Sequence, residues 1–419
     1  MAVGSGLSAT VGIATETTPG IPVAVTRFFE FDSEGMGMKK HTVQGAGLRG
    51  GGLVRRGARR AVVAREAGGD LSFDVMTNGF GLVLQHMLGS FAATATTIGG
   101  GLYQQIHNVG SLQGKSFTTQ VLRPDTTGVL GPQAFTYPGC KVTGWELTAQ
   151  QQQQLKLKLT IDALDEATPS NGFASTTLSS ASTAGASSIS TVATIPAGSY
   201  ITVGTGLTAE VVLTGTPSGA GPFVIPTTTA LTYAHAIGSP AGSATGANYA
   251  AAVALQTASY TAGTSMFTFN GGKLVLGGTT SVVSGVWTNA GGVVAGNVRT
   301  VSLKGSNPLK VDRWGLGSAI KSEQLENNWR DYSADVEIEY ASRYYYDVYA
   351  ADAALALQLS FTAPGGNVLS FYVPVSFQED IGLQVSGPDI LIQKLAFTVL
   401  DDGVNGALQA VLTSTDVSL

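Results

Sequence analysis

Within the stretch Gly69–Gly89, GDLSFDVMTNGFGLVLQHMLG, the hydrophobic period changes from that of a strand to that of a helix. Leu71, Phe73 and Val75 alternate with Asp70, Ser72 and Asp74, the pattern of a strand with one buried face. Asn78 offers a helix cap, Phe80, Val83, Leu84, Met87 and Leu88 follow at helical spacing, and Gly89 suits the stop. The same design returns at Asp335–Leu357, DVEIEYASRYYYDVYAADAALAL. Val336, Ile338 and Tyr340 alternate with Asp335, Glu337 and Glu339, and Ser342 can cap a helix carrying Tyr345, Val348 and Tyr349. Two strand–helix units in one chain predict an internal duplication.

The flanking elements repeat in the same order. In the first half, Phe28, Phe29 and Phe31 open a strand, a long loop follows, and the strand–helix unit comes next. Three strands then read at Ser116–Leu122, Cys140–Thr148 and Leu155–Ile161, the last with Lys156 and Lys158 on its polar face. In the second half, Phe267 and Phe269 answer Phe29 and Phe31. Leu355–Phe361, Leu369–Val375 and Leu395–Asp401 answer the three strands, with Leu395–Asp401 set against Leu157–Ala163. The expected organisation is an arm at 1–26, a first domain at 27–165, an inserted module at 174–248 and a second domain at 259–419. The fold class is α+β, mainly β.

A length of 419 residues agrees with more than one domain. Charged residues are only 12% of the chain, about half the usual share, and 55 residues are glycine. Such a mild, small-residue surface suits a protein covered largely by copies of itself, and equally a β-rich secreted or surface protein. Net charge is −5, so the whole molecule does not read as a nucleic-acid binder. Cys140 is the sole cysteine and is expected as a small buried hydrophobe. The N-terminus lacks the basic and apolar regions of a signal peptide. No apolar run reaches the ~20 residues of a membrane-spanning helix, so no membrane insertion is expected.

Residues 39–65 stand apart. Lys39, Lys40, Arg49, Arg55, Arg56, Arg59, Arg60 and Arg65 are interrupted by glycines, and the stretch reads as a mobile basic loop. It could touch phosphate, or it could interlock with acidic patches on neighbouring copies. The absence of stacking aromatics and the negative overall charge favour the second. Residues 174–248 carry a single charge, Glu210, and short alternating pieces at Ser188–Val192, Tyr200–Val203, Ala209–Leu213 and Phe223–Ile225. They read as a small all-β module.

Chemistry-bearing patterns are sparse. His41, His86, His107 and His235 lie at no ligand spacing to another His, Cys or carboxylate. The Gly45–Gly52 run lacks the ending and setting of a phosphate loop. Asp162, Asp165 and Glu166, and Asp401 with Asp402, read as solvated turns. No acid, base and nucleophile set is visible, so an enzyme is the least favoured class, and no cofactor or metal is expected. The acidic strand faces are more informative: Asp70 and Asp74 on one strand, Asp335, Glu337 and Glu339 on its counterpart. Rows of like charge need solvation or partners. A water-filled lumen would supply the first and the basic loop of another subunit the second.

The chain resembles the major tail tube proteins of long-tailed, non-contractile bacteriophages (siphophages). The resemblance is carried by MAVGSGLSATVGIATETTPGIPVAVTRFFEF, GAGLRGGGLVRRGARR, AGGDLSFDVMTNGFGLVLQHMLGS and YPGCKVTGWELTAQQQQQLKLKLTID. It covers about the first 165 residues; the second half matches by architecture. It implies tandem β-sandwich or barrel domains, each with a flanking helix, whose sheets join around a channel in rings of sixfold symmetry. Rings stack, and a long loop reaches the neighbouring ring. Residues 39–65 and 304–330 would occupy that loop's place, with Arg49, Arg55, Arg56, Arg59, Arg60 and Arg65 as inter-ring contacts. Three duplicated chains would supply six units, giving a trimer with pseudo-sixfold symmetry. The implied partners are further copies of the chain, a tape measure protein inside the tube, tail terminator and distal tail proteins at its ends, and double-stranded DNA in passage. The implied location is the virion tail, after synthesis in the bacterial cytoplasm. The competing class is a virion decoration or surface adhesion protein that binds glycan through 174–248.

Overall fold

The computed structural model describes residues 6–47, 53–90, 94–124, 133–167, 176–195, 197, 200–204, 208, 210–243, 255–383, 385 and 387–419. The chain divides into two compact units. The smaller comprises Met1–Thr26, Phe117–Gly139 and Asp165–Ala258, and the larger Arg27–Ser116, Cys140–Leu164 and Ser259–Leu419.

In chain order, the elements that carry the argument are β1 (Thr10–Thr15), β2 (Gly37–Gln44), β3 (Arg60–Asp74), α1 (Phe80–Leu88), β4 (Leu102–Asn108), β5 (Phe117–Arg123), β6 (Gln133–Gln150) and β7 (Lys156–Ala163). They continue with β8 (Gly272–Leu276), β9 (Val298–Ser306), β10 (Asp331–Glu339), α2 (Tyr344–Ala350), β11 (Leu355–Ala363), β12 (Asn367–Leu383), β13 (Ile392–Leu400) and β14 (Gln409–Ser414). The architecture is mainly β, and both expected strand–helix units are present as β3–α1 and β10–α2.

The larger unit is organised by one antiparallel sheet in the order β2–β3–β7–β6–β9–β10–β13–β12. Its first four strands come from the first half of the chain and its last four from the second, in the same internal order. The halves meet where β6 pairs with β9, Gln150 opposite Thr300 and Gly144 opposite Ser306. Each half carries a bulge at the same point. Thr143 is the extra residue of β6 against β7, and Glu379 the extra residue of β12 against β13. The sheet is open, with β2 and the C-terminal half of β12 as its outer strands among the described residues.

One face of this sheet is apolar because every strand alternates. Leu71, Phe73, Leu147, Leu157, Leu159, Val301, Leu303, Val336, Ile338, Leu395 and Phe397 are all buried. Side chains of this kind contribute roughly 1.5–3 kcal/mol each when removed from water. The rings of Phe29, Phe73 and Phe80 lie 5.7–5.8 Å apart and fasten α1 to the sheet. A second sheet runs β8–β11–β12–β14–β4. The seventeen-residue β12 therefore serves both sheets, its N-terminal half in one and its C-terminal half in the other.

Both helix starts differ from expectation. The N-cap of α1 is Gly79, at φ 81°, and no side chain of its own turn caps it. Asp416 does so from the far end of the chain, accepting the Gly79 N–H at 2.7 Å, while Asn78 donates to its other oxygen. Arg343, not Ser342, is the N-cap of α2. Gly89 ends α1 as expected, at φ 82°.

The stretch expected as a mobile loop is largely strand. Residues 37–44 and 60–68 form a β-hairpin, so the basic loop shrinks to the part between Gln44 and Arg60. Thr42, Val43, Val62 and Val63 supply the β-branched side chains that favour pairing there. In the smaller unit, β1 pairs with β5 and buries Val11 and Ile13. Glu16 ties this pair down, accepting from Thr118 Oγ1 and from the Gly139 N–H, both at 2.8 Å. Ser188–Thr191, Tyr200–Val203, Glu210–Leu213 and Phe223–Pro226 are strands with a core of their own, including Leu178, Ile189, Ile201, Val212 and Ile225.

Candidate assembly surfaces

The polar face of the eight-stranded sheet gathers the five acidic strand residues read as rows of like charge. Asp70, Asp74, Asp335, Glu337 and Glu339 stand on β3 and β10, and each meets a cation on a neighbouring strand. Lys156 bridges Asp32 and Asp74, both at 2.7 Å, and Lys158 reaches Asp70 at 2.9 Å. Lys304 joins Asp335 at 2.9 Å to Glu146 at 3.5 Å, directly across the joint between the halves. Lys394 pairs with Glu337 at 2.9 Å and Arg299 with Glu339 at 2.8 Å. The like-charged rows are thus relieved inside the sheet. These seven carboxylates against five cations leave the face weakly anionic.

The pairs shift proton affinities in the expected directions. The hydrogen bond from Lys158 holds the Asp70 carboxyl below its ordinary value. Lys156 is raised chiefly by Asp32, Lys304 by Asp335 and Lys394 by Glu337. Sequence reasoning saw Lys156 and Lys158 on a polar face but missed Glu146, Arg299, Lys304 and Lys394. The alternation in Val298–Ser306, VRTVSLKGS, was the signal available for two of them.

The basic residues separate into two groups. Arg55, Arg56, Arg59 and Arg60 are exposed at the tip of the β2–β3 hairpin and have no ion-pair partner among the described residues. Arg56 lends its carbonyl to the Gln44 side chain at 2.7 Å. Arg65 is half-buried within β3, and its backbone N–H donates to the Ala319 carbonyl. Arg49 lies outside the described residues.

Residues 304–330, expected as a second reaching loop, are anchored in their own unit. Lys321 pairs with Asp162, and Lys141, almost wholly buried, pairs with Glu323 at 2.6 Å. Burial lowers the Lys141 pKa and raises that of Asp162, each opposed by its partner. Asn307 donates to the carbonyls of Met87 and Val142, both at 3.0 Å, and Arg330 donates to those of Leu88 and Gly110. The bonds to Met87 and Leu88 satisfy the C-terminal end of α1, where helix carbonyls otherwise lack partners.

Buried histidines lie on α1 and β4. Burial lowers His86 to about 3 and His107 to about 4, so both are neutral near pH 7. Neither ring nitrogen of His107 has a hydrogen-bond partner among the described residues. Asp402 caps its own turn, accepting from the N–H groups of Val404, Asn405 and Gly406. Among the described residues no three His, Cys, Asp or Glu side chains converge as a metal site, and no helix is long and apolar enough to cross a membrane.

Fold and surface together define a duplicated β-sheet protein with a charge-paired polar face and open sheet edges. The phage tail tube protein family matches twice, over residues 6–216 and 193–399, and the chain belongs to that family. No curated protein matches it. The tandem matches agree with the two half-sheets. Membership makes the protein a structural component of the virion tail that assembles with itself into a tube.

Proposed function

We propose that copies of this chain close into trimeric rings with pseudo-sixfold symmetry, and that the rings stack into the conduit through which double-stranded DNA leaves the virion for the host. The observation that carries the reading is the eight-stranded sheet: two like halves joined edge to edge, with an open strand at each end. An exposed edge is a template for pairing, and three chains would supply six half-sheets. In this reading 27–165 and 259–419 act as two tube domains, with residues 1–26 as an arm and the 174–248 module on the outer wall. The polar face, including Asp70, Asp74, Asp335, Glu337 and Glu339, lines the channel. Its cations are already engaged by carboxylates, so passing phosphates find little to hold them. A tape measure protein would occupy the channel before DNA, and terminator and distal tail proteins would cover the tube ends.

Negative-stain microscopy of the purified protein tests the reading. Rings or hollow tubes with threefold or pseudo-sixfold end views are expected; a soluble monomer that binds glycan would favour the adhesion class instead. Arg55, Arg56, Arg59 and Arg60 at the hairpin tip are assigned to ring stacking, together with Arg49 and Arg65. Neutralising the four tip arginines should leave subunits folded and shorten tubes, and tubes of normal length would remove that role. Deleting 174–248 behind a short linker should leave polymerisation intact.

A further inference from the structure

The joint inside the chain fixes a residue register for the joint between chains. This inference rests on the ring closure proposed above and specifies it.

The two bulges align the halves without reference to side-chain type. Thr143 corresponds to Glu379, so Gly144 corresponds to Asp380, Trp145 to Ile381 and Glu146 to Gly382. Across β7 and β13 the same count matches Leu159 with Leu395, and across β3 and β10 it matches Leu71 with Val336. Leu71 faces Glu34 on the outer side, and Val336 faces Val301. Continuing along these strands, Lys304 corresponds to Gly37, Gly305 to Met38, Ser306 to Lys39 and Asn307 to Lys40.

At the internal joint Lys304 stands opposite Glu146, Gly305 opposite Trp145 and Ser306 opposite Gly144, and the Asn307 N–H donates to the Thr143 carbonyl at 2.8 Å. Transferring this arrangement to the outer strands puts Gly37 opposite Gly382, Met38 opposite Ile381 and Lys39 opposite Asp380. The Lys40 N–H then meets the Glu379 carbonyl. Two adjacent lysines fall against two adjacent acids, and a half-buried methionine falls against a half-buried isoleucine on the core side. All four charged residues are exposed in the single chain. On Gly37–Lys40 the ladder runs to β3, and on Asp380–Leu383 it runs to β13. No strand among the described residues occupies the opposite edge of either segment.

We propose that Gly37–Lys40 of one copy pairs antiparallel with Glu379–Gly382 of the next in this register, and that Lys39 and Lys40 facing Asp380 and Glu379 select it. The occupant of each edge is a second copy of this chain. Like charges at such a joint would penalise slipped or inverted pairings.

A cross-link and a charge exchange test this. A Cβ added at Gly37 meets no atom within 4 Å, and one at Gly382 makes only ordinary contact with Lys394, so both sites accept cysteine. Directly opposed strand residues lie close enough for a disulfide. The double variant Gly37→Cys/Gly382→Cys, assembled and mildly oxidised, should give covalent oligomers on non-reducing gels, whereas either single variant should not. Tubes seen by microscopy with no 37–382 cross-link, but efficient linkage of Gly37→Cys to Asp380→Cys, would overturn the register and leave the conduit reading standing. Absence of rings and tubes from the unmodified protein would overturn both. Separately, Lys39→Glu/Lys40→Glu should lower tube yield by about tenfold or more with the subunit still folded by circular dichroism. Adding Glu379→Lys/Asp380→Lys should restore it. No restoration with all subunits folded would overturn the charge pairing.

Discussion

Helices α1 and α2 follow equivalent strands of the two half-sheets, yet every residue of α1 is buried and none of α2 is. Composition explains part of this. FGLVLQHML is apolar around most of its circumference, which demands burial on all sides. YYYDVYA keeps Tyr344, Tyr346 and Tyr349 at the surface and carries an exposed Arg343–Asp347 pair. The larger part is supply. The second half covers the first half's helix: Asn307 and Arg330 reach the end of α1, and Asp416 caps its start. Helix α2 belongs to the second half-sheet, and among the described residues no further half-sheet follows to do the same for it. In the proposed ring that half belongs to the next copy. In that reading a half-sheet is completed by its successor, whether or not the two are covalently joined.

The comparison can be broken most directly in the cores. Phe80→Ala should cost roughly 3–5 kcal/mol in isolated subunits, and Tyr346→Ala no more than about 0.5 kcal/mol, read by denaturant unfolding. Equal costs would show that α2 is covered within the chain.

Acid should also act through α1 and β4, which carry the buried His86 and His107. Their folded pKa values, about 3 and about 4, lie below the ordinary 6.5, so the unfolded chain takes up protons first. Stability should therefore be full above about pH 6.5 and fall as pH drops toward 4. His86→Met and His107→Met should each flatten that acid limb. An unchanged pH profile in both variants would place the acid sensitivity elsewhere.

A smaller difference is expected at the helix starts. Asp416→Ala should cost roughly 0.5–2 kcal/mol by uncapping α1, and Ser342→Ala should have no measurable effect on thermal unfolding. The smallest contrast lies on the polar face. Lys156→Ala within the first half and Lys304→Ala at the joint should each change stability by less than about 1 kcal/mol. Both effects should shrink as salt is raised.

Local signals made the strand–helix units legible, because alternation, helical spacing and a terminal glycine all fall within about twenty residues. What escaped was set by distant residues. Asn78 is a good cap by type, but its side chain is spent on Thr415 and Asp416, more than three hundred positions away. The acidic rows looked unrelieved because a single strand does not display the lysines of its neighbours. The hairpin at 37–68 was obscured by its glycines and arginines. Pattern matching set Leu395 against Leu157, whereas the bulges set it against Leu159. A slip of two residues keeps every side chain on its own face, so alternation alone is blind to it. In the second sheet β11 and β12 were legible as strands, but the pairing of β14 with β4 leaves no local trace.

That last pairing has a consequence for biosynthesis. Gln409 hydrogen-bonds Asn108 across 301 positions. At ordinary translation speeds β4 and α1 wait roughly 15–60 s for β14 and Asp416 to emerge. During that interval the helix lacks its cap and one edge of β4 stands open. Prematurely terminated fragments would stay in this unfinished condition, which would expose them to proteolysis before they could be incorporated.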